Sequence, residues 1–192
     1  MVLRALPLLA FALGVLLGLP KVQPAKGINV PAAEFSAGRA LTHIERYSRE
    51  PRPQGSAAQS AVIADVVATL SATGFHASVE TMGDLRNVEA HAPNHDHTGG
   101  VWLVAHSDSV MQAPGAGDDG LGLGVVLETA RALSLSGVPA DLHVLITDGE
   151  ERGLLGAKAH VERAAGDARR LILNVEARGT SCLLYTSPSP RD

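Results

Sequence analysis

The sequence predicts an α/β fold, with a mostly parallel central sheet flanked by helices. Three observations carry that expectation. The runs Val101–Ala105, Leu142–Ile146 and Leu171–Val175 are almost wholly aliphatic, as in parallel strands covered on both faces. Segments of helical period separate them, and the order β-α-β-α-β implies parallel strands joined by right-handed crossovers. Each run also leads at once into a short segment rich in His, Asp or Glu. Open α/β sheets place their sites beyond the carboxyl ends of such strands.

The elements follow in order. Met1 to Arg4 carries one positive charge, Leu6 to Leu19 none, and Pro20-Lys21 ends the apolar run. Residues 1–20 are therefore expected to be a signal peptide or a membrane anchor. Arg4 can snorkel, and no clean small-x-small cleavage site lies near Lys21 to Lys26, which favours an anchor. Either reading puts the rest of the chain outside the cytoplasm, in a periplasm, an organelle lumen or the cell exterior. Residues 21–31, with Pro24 and Pro31, read as a linker. A partial catalytic domain is expected over 32–181.

Within it a helical pattern begins near Pro31, with Phe35, Ala40, Leu41 and Ile44 at helical spacing. Glu50-Pro-Arg-Pro-Gln-Gly-Ser56 breaks it. A second helix spans roughly Ala57 to Ala72, with Val62, Ile63, Val66, Val67 and Leu70 on one stripe and Gly74 as its stop. Ala77 to Glu80 and Asn87 to His91 alternate as strands, and Asn94 to Gly100 is a turn. After the first aliphatic strand come a helix from about Leu121 to Leu135, closed by Gly137, and another from Leu154 to Ala164. The tail Cys182 to Asp192 shows neither strand nor helix period and resembles a translated sequencing-library adapter. It is expected to be non-native, with the natural chain continuing beyond Ser181.

Composition excludes several classes. The chain has 192 residues, room for one domain with a real core. Net charge is −4, with no basic block, so a nucleic-acid surface is not expected. A single cysteine, Cys182, excludes a disulfide framework and a cysteine-based zinc site.

Four segments carry the chemistry. In His106-Ser-Asp108, residues i and i+2 of a strand share a face, so Asp108 can hydrogen-bond the far nitrogen of the His106 ring. A ligating histidine uses such a carboxylate to fix its tautomer. Gly115-Ala-Gly-Asp118-Asp119-Gly120 spells a dinucleotide fingerprint, but ten residues separate it from the preceding strand and its carboxylates would repel a pyrophosphate. Asp118 or Asp119 could cap the next helix, and a carboxylate there can also bridge two cations. In Asp148-Gly-Glu150-Glu151 the adjacent side chains point different ways. One can bind a metal while the other reaches water, the division that metal-assisted hydrolysis needs. Asn174-Val-Glu176 brings a further carboxylate to the same sheet edge. His95-Asp-His97 reads as a solvated loop, and His143 as a core or sheet-surface histidine.

These motifs, from about Arg52 to Ser181, resemble in order, spacing and strand context the co-catalytic di-zinc aminopeptidases, the group of bacterial leucyl aminopeptidases and endoplasmic-reticulum metallopeptidases. Pro53-Gln-Gly-Ser56 and Asn174-Val-Glu176-Ala-Arg-Gly179 look closest to the membrane-anchored branch. The resemblance implies a zinc-exopeptidase-like α/β/α sandwich, incomplete at its C-terminus. It implies His106, Asp118 and Glu176 on one zinc, with Asp118 bridging and Glu151 on the other. Glu150 would be the general base and Asp108 the partner of His106. A further histidine ligand of the family lies downstream of this chain's last residue.

The expected function is thus a zinc-dependent metallopeptidase, an aminopeptidase acting on peptide substrates through a metal-activated water, with two zinc ions in the complete protein. Two alternatives belong to other classes. One is a non-catalytic receptor or complex subunit with the same fold, and the other a one-zinc acyltransferase resembling glutaminyl cyclase.

Overall fold

The structure, a computed structural model, describes residues 27–93, 99–137, 141–163 and 169–177. The expected signal peptide or membrane anchor at 1–20, the His95-Asp-His97 loop and the tail 182–192 lie outside these residues. Among the described residues, no helix is long and apolar enough to cross a membrane.

Helix α1 spans Ala37–Tyr47 and α2 spans Ala57–Ala72. Both start at a serine, Ser36 and Ser56, whose hydroxyl accepts from a backbone N–H three residues on, relieving an orphan donor of the first turn. Helix α1 thus starts later than its apolar spacing suggests. Phe35 precedes it and is exposed, and Leu41 is half exposed. Ala40 and Tyr47 are the buried residues of this helix. Helix α2 buries Val62, Ile63, Val66 and Leu70 and gives way to Gly74, whose φ of 90° is the left-handed conformation of a helix stop.

Strands β1 (His76–Met82) and β2 (Leu85–His91) form a hairpin. Then follow β3 (Gly99–His106), helix α3 (Leu121–Ser136), β4 (Leu142–Thr147), helix α4 (Leu155–Arg163) and β5 (Arg169–Asn174). The sheet order is β1-β2-β4-β3-β5. The three motif-bearing strands pair in parallel, β4 with β3 and β3 with β5, whereas β2 runs antiparallel to β4. The sheet is therefore mixed: a parallel half carrying the motifs and an antiparallel hairpin at the opposite edge.

The strand period of two sorts the two faces. Leu103, Ala105, Leu142, Val144, Ile146, Val88 and Ala90 join Val66, Leu70, Leu123, Val126 and Leu127 of α2 and α3 in one core. On the other face Trp102 stacks on His143 with ring centroids 4.4 Å apart and planes 2° from parallel, and His160 of α4 approaches it at 5.3 Å. The helices leaving β3 and β4 thus go to opposite faces, which opens a crevice at the carboxyl ends of these adjacent strands.

Candidate metal centre

His106 is the last residue of β3, and its side chain is 1% exposed. Its Nδ1 lies 3.1 Å from the Asp108 carbonyl and 3.4 Å from the Asp108 carboxylate. That arrangement aims Nε2 outward, 2.8 Å from Asp118 Oδ1 and 3.9 Å from Glu150 Oε2. Burial alone would push the imidazole pKa down. The hydrogen bond to Asp108 and the charges of Asp119 and Asp108, with Asp118 adding, outweigh it and raise it to about 9. A histidine so embedded in carboxylate is a place where a proton stands for a cation.

Asp118 and Asp119 lie in the wide turn Ala116–Gly120 that leads into α3, joined by a cis peptide. Their side chains part. Asp118 is exposed and faces His106, while Asp119 is fully buried. Asp119 accepts from the Gly122 N–H at 2.8 Å and from the His106 N–H at 3.2 Å. The helix-cap role weighed for either aspartate thus falls to Asp119, which also anchors the backbone of His106. Burial, opposed by His106, holds its pKa up at about 7.

Beyond β4, Gly149 has φ 64° and opens a single turn of 3-10 helix, Glu150–Arg152. Only glycine takes this left-handed conformation without cost, and it turns the chain sharply enough to set two glutamates at the crevice. Asp108 accepts from the N–H of Glu150 at 3.0 Å and of Glu151 at 3.1 Å. These bonds and the His106 hydrogen bond depress its pKa against burial, the largest effect, which opposes them. Burial raises Glu150; His106 opposes and the charges of Glu176, Glu151 and Asp118 add to the rise. Burial and Asp118 likewise raise Glu151.

Glu176, two residues past β5, completes a group with His106 and Asp118 in which one ligand atom from each lies within 4.8 Å of the others. Among the described residues this is the group of three donors that could hold a metal ion. Glu151 stands outside it. Glu150 and Asp108 flank it through the contacts above.

Several supporting residues had no role assigned to them from the sequence. Asp148 and Gln59 are fully buried. Gln59 donates to Ser107 Oγ at 3.2 Å and to Asp148 Oδ1 at 2.5 Å, tying α2 to the ends of β3 and β4. Asn87 of β2 accepts from the Asp148 N–H at 3.0 Å. Polar residues in apolar surroundings were the available signal, but spacing alone does not pair them.

The donor set fits a hard or borderline divalent cation. It holds one imidazole nitrogen and carboxylate oxygens, the ligand types zinc takes. Asp108, Asp118, Asp119, Glu150, Glu151 and Glu176 crowd around His106, an excess of negative charge that a cation relieves.

The comparisons with known proteins agree. The sequence pattern described as peptidase family M28 matches residues 87–187. A vacuolar membrane protease of Paracoccidioides lutzii is 36% identical over 94 residues, covering 46% of this chain and 10% of that protein. Aminopeptidase YwaD of Bacillus subtilis is 42% identical over 71 residues, covering 36% of this chain and 15% of its own. The glutaminyl cyclase of Porphyromonas gingivalis superposes with a TM-score of 0.68 at 26% identity, covering 77% of this chain and 61% of that one. This chain thus spans a small part of the curated relatives and about three-fifths of the cyclase.

Proposed function

Because the chain belongs to peptidase family M28, we propose that the protein is a zinc-dependent metallopeptidase, an aminopeptidase that hydrolyses the N-terminal bond of peptides. The convergence of His106, Asp118 and Glu176 from three chain segments supports the reading most. These three would hold one zinc ion. Asp118 and Glu151 would contribute to another. A zinc ion there supplies Lewis acidity at the scissile carbonyl and lowers the pKa of water.

The chain's own residues supply the rest. Glu150 takes a proton from the attacking water at a carboxylate oxygen and passes it to the departing amine. Its carboxylate, 3.9 Å from His106 Nε2, stands beside the candidate metal group, where a general base must be. Asp108 holds the Nδ1 side of His106 and, through two N–H groups, the turn that carries Glu150. Asp119 fixes the His106 backbone and the start of α3. The apolar segment at residues 1–20 and the likeness to a vacuolar membrane protease support a membrane-tethered enzyme whose catalytic domain faces away from the cytoplasm.

A second reading is a one-zinc acyltransferase. The likeness to glutaminyl cyclase and the one three-donor group among the described residues favour it. Assay of the full-length protein on a free aminoacyl peptide and on a peptide beginning with glutamine separates the two. Release of the N-terminal residue, abolished by chelation and restored by zinc, is expected. Cyclisation without hydrolysis would replace the peptidase reading by the acyltransferase one.

A further inference from the structure

Arg52 lies in the proline-rich break between α1 and α2, yet it is fully buried. Its guanidinium makes four hydrogen bonds, each to a main-chain carbonyl. Nε donates to Ser107 at 2.9 Å, Nη1 to Tyr47 at 3.1 Å and to Pro114, and Nη2 to Gly115 at 3.0 Å. The Arg52 backbone adds a reciprocal pair with Ser109, N–H to Oγ at 3.0 Å and carbonyl from N–H at 3.2 Å. Ser107, Ser109, Pro114 and Gly115 all belong to the loop running from His106 to Asp118. Gly115 is in the left-handed region with φ 65°, and a Cβ there would stand 2.7 Å from the Ser109 side chain and 3.2 Å from Arg52 Nη1. Burial lowers the basicity of Arg52, and the nearby charges of Asp119, Asp108, Asp118 and Glu151 oppose this.

We infer that Arg52 is a positioning residue: its guanidinium fixes the loop between His106 and Asp118, and so sets how tightly these two residues hold a divalent cation. The inference rests on the metallopeptidase reading above. The geometry requires a planar fork. Four carbonyls converge on one side chain; Gly115 keeps a second donor in the Gly120 N–H at 2.8 Å, but the buried bonds to the Ser107 and Tyr47 carbonyls would be lost. Lysine, a compact point charge with three donors, does not match that fan. Two ligands thus sit at the ends of a loop whose interior is pinned from behind by a residue that touches neither.

The test uses the full-length protein as Arg52→Lys and Ser109→Ala; the second leaves the guanidinium in place and removes the Ser109 Oγ bonds to the Arg52 N–H and, within the loop, to the Ala113 carbonyl at 3.0 Å. Hydrogen exchange of the metal-free protein is followed over residues 106–119 and over α2, and the zinc Kd is measured by competition with a chromophoric chelator. Arg52→Lys is expected to speed exchange in 106–119 at least tenfold with α2 unchanged, and to weaken zinc at least tenfold. Ser109→Ala should move both in the same direction, by about threefold. If Arg52→Lys does not fold, Ser109→Ala decides. Exchange and zinc Kd within twofold of the parent, or acceleration spread evenly over the chain, overturn the inference. A parent that takes up no zinc would overturn the metallopeptidase reading, and the exchange comparison would still decide the clamp.

Discussion

The carboxylate of Asp108 accepts a hydrogen bond from the backbone N–H of Glu150 at 3.0 Å, while its other oxygen takes that of Glu151 at 3.1 Å. The same carboxylate lies 3.4 Å from His106 Nδ1. One side chain therefore sets the histidine of β3 and the glutamate turn of β4 in register.

Asp108→Asn should loosen both. The amide has one acceptor oxygen for two N–H donors, and it no longer stabilises the imidazole by charge. We expect metal affinity to fall by about 10- to 100-fold, as for other carboxylates behind ligating histidines. Titration with zinc against a competing chelator measures it. Unchanged affinity would assign Asp108 to the turn alone.

The adjacent glutamates should separate in their effects. Glu150→Gln is expected to keep zinc and lose turnover by roughly 10²- to 10⁴-fold, the usual contribution of a general base. Glu151→Gln is expected to lower metal content. Parallel elemental analysis and peptidase assay distinguish them, and equal loss of zinc in both variants would overturn the division of roles.

Full-length protein should carry two zinc ions per chain. Dialysis against a chelator should abolish hydrolysis, and zinc should restore it. Protein that holds no zinc as purified, and gains no activity on its addition, would refute this.

Gly122→Ala tests Asp119. A Cβ on Gly122 would overlap the Asp119 carboxylate, so the side chain that holds the His106 N–H must move. Overpacking of this kind costs about 1–3 kcal/mol. Thermal melts of the metal-free variant should show that loss together with weaker zinc binding.

Glu128 governs acid stability away from the site. Its side chain is fully buried and meets Arg39 at 3.0 Å, Arg131 at 2.6 Å and the Ser36 N–H at 2.9 Å. Burial, the largest effect, raises its pKa. The bonds from Arg131, Ser36 and Arg39 together outweigh it, so the folded value lies below the ordinary 4.5. The unfolded chain then binds the proton more tightly, and stability rises with pH. The contribution is present above pH 4.5 and is lost as pH falls through the folded value. Glu128→Gln should destabilise the protein near neutrality, up to the low end of roughly 3–5 kcal/mol given its partly exposed arginines. It should also flatten the dependence below pH 4.5. An unchanged acid transition in denaturant melts would contradict this.

The strands and the candidate metal-holding residues were legible in the sequence because aliphatic runs and the polar residues that end them are local patterns. Val101–Ala105 and Leu142–Ile146 lie inside β3 and β4, and donor atoms of His106, Asp118 and Glu176, the set the family resemblance implies, lie within 4.8 Å of one another. Helix α3 ends at Gly137, whose φ is 82°. What was not legible is tertiary. Phe35 and Leu41 match a helical stripe, but α1 turns other residues inward. Asp119 looks like a mere neighbour of Asp118 until His106 is brought against it. Arg52 reads as part of a helix break because its partners are carbonyls, which every residue has.

Trp102, the chain's single tryptophan, gives the fold an optical reporter of its own. It sits in β3 four residues before His106, flat against His143 of β4, with the Arg170 guanidinium of β5 at 5.1 Å. Its neighbours come from the two strands flanking β3 and from α4, whose His160 lies 5.3 Å away, so its emission is sensitive to the docking of all three. Intrinsic fluorescence can therefore follow assembly of the three motif-bearing strands without any label, and separately from the circular dichroism of the helices. A lag between the two signals during refolding would time the closure of this sheet half against the formation of the helical layer.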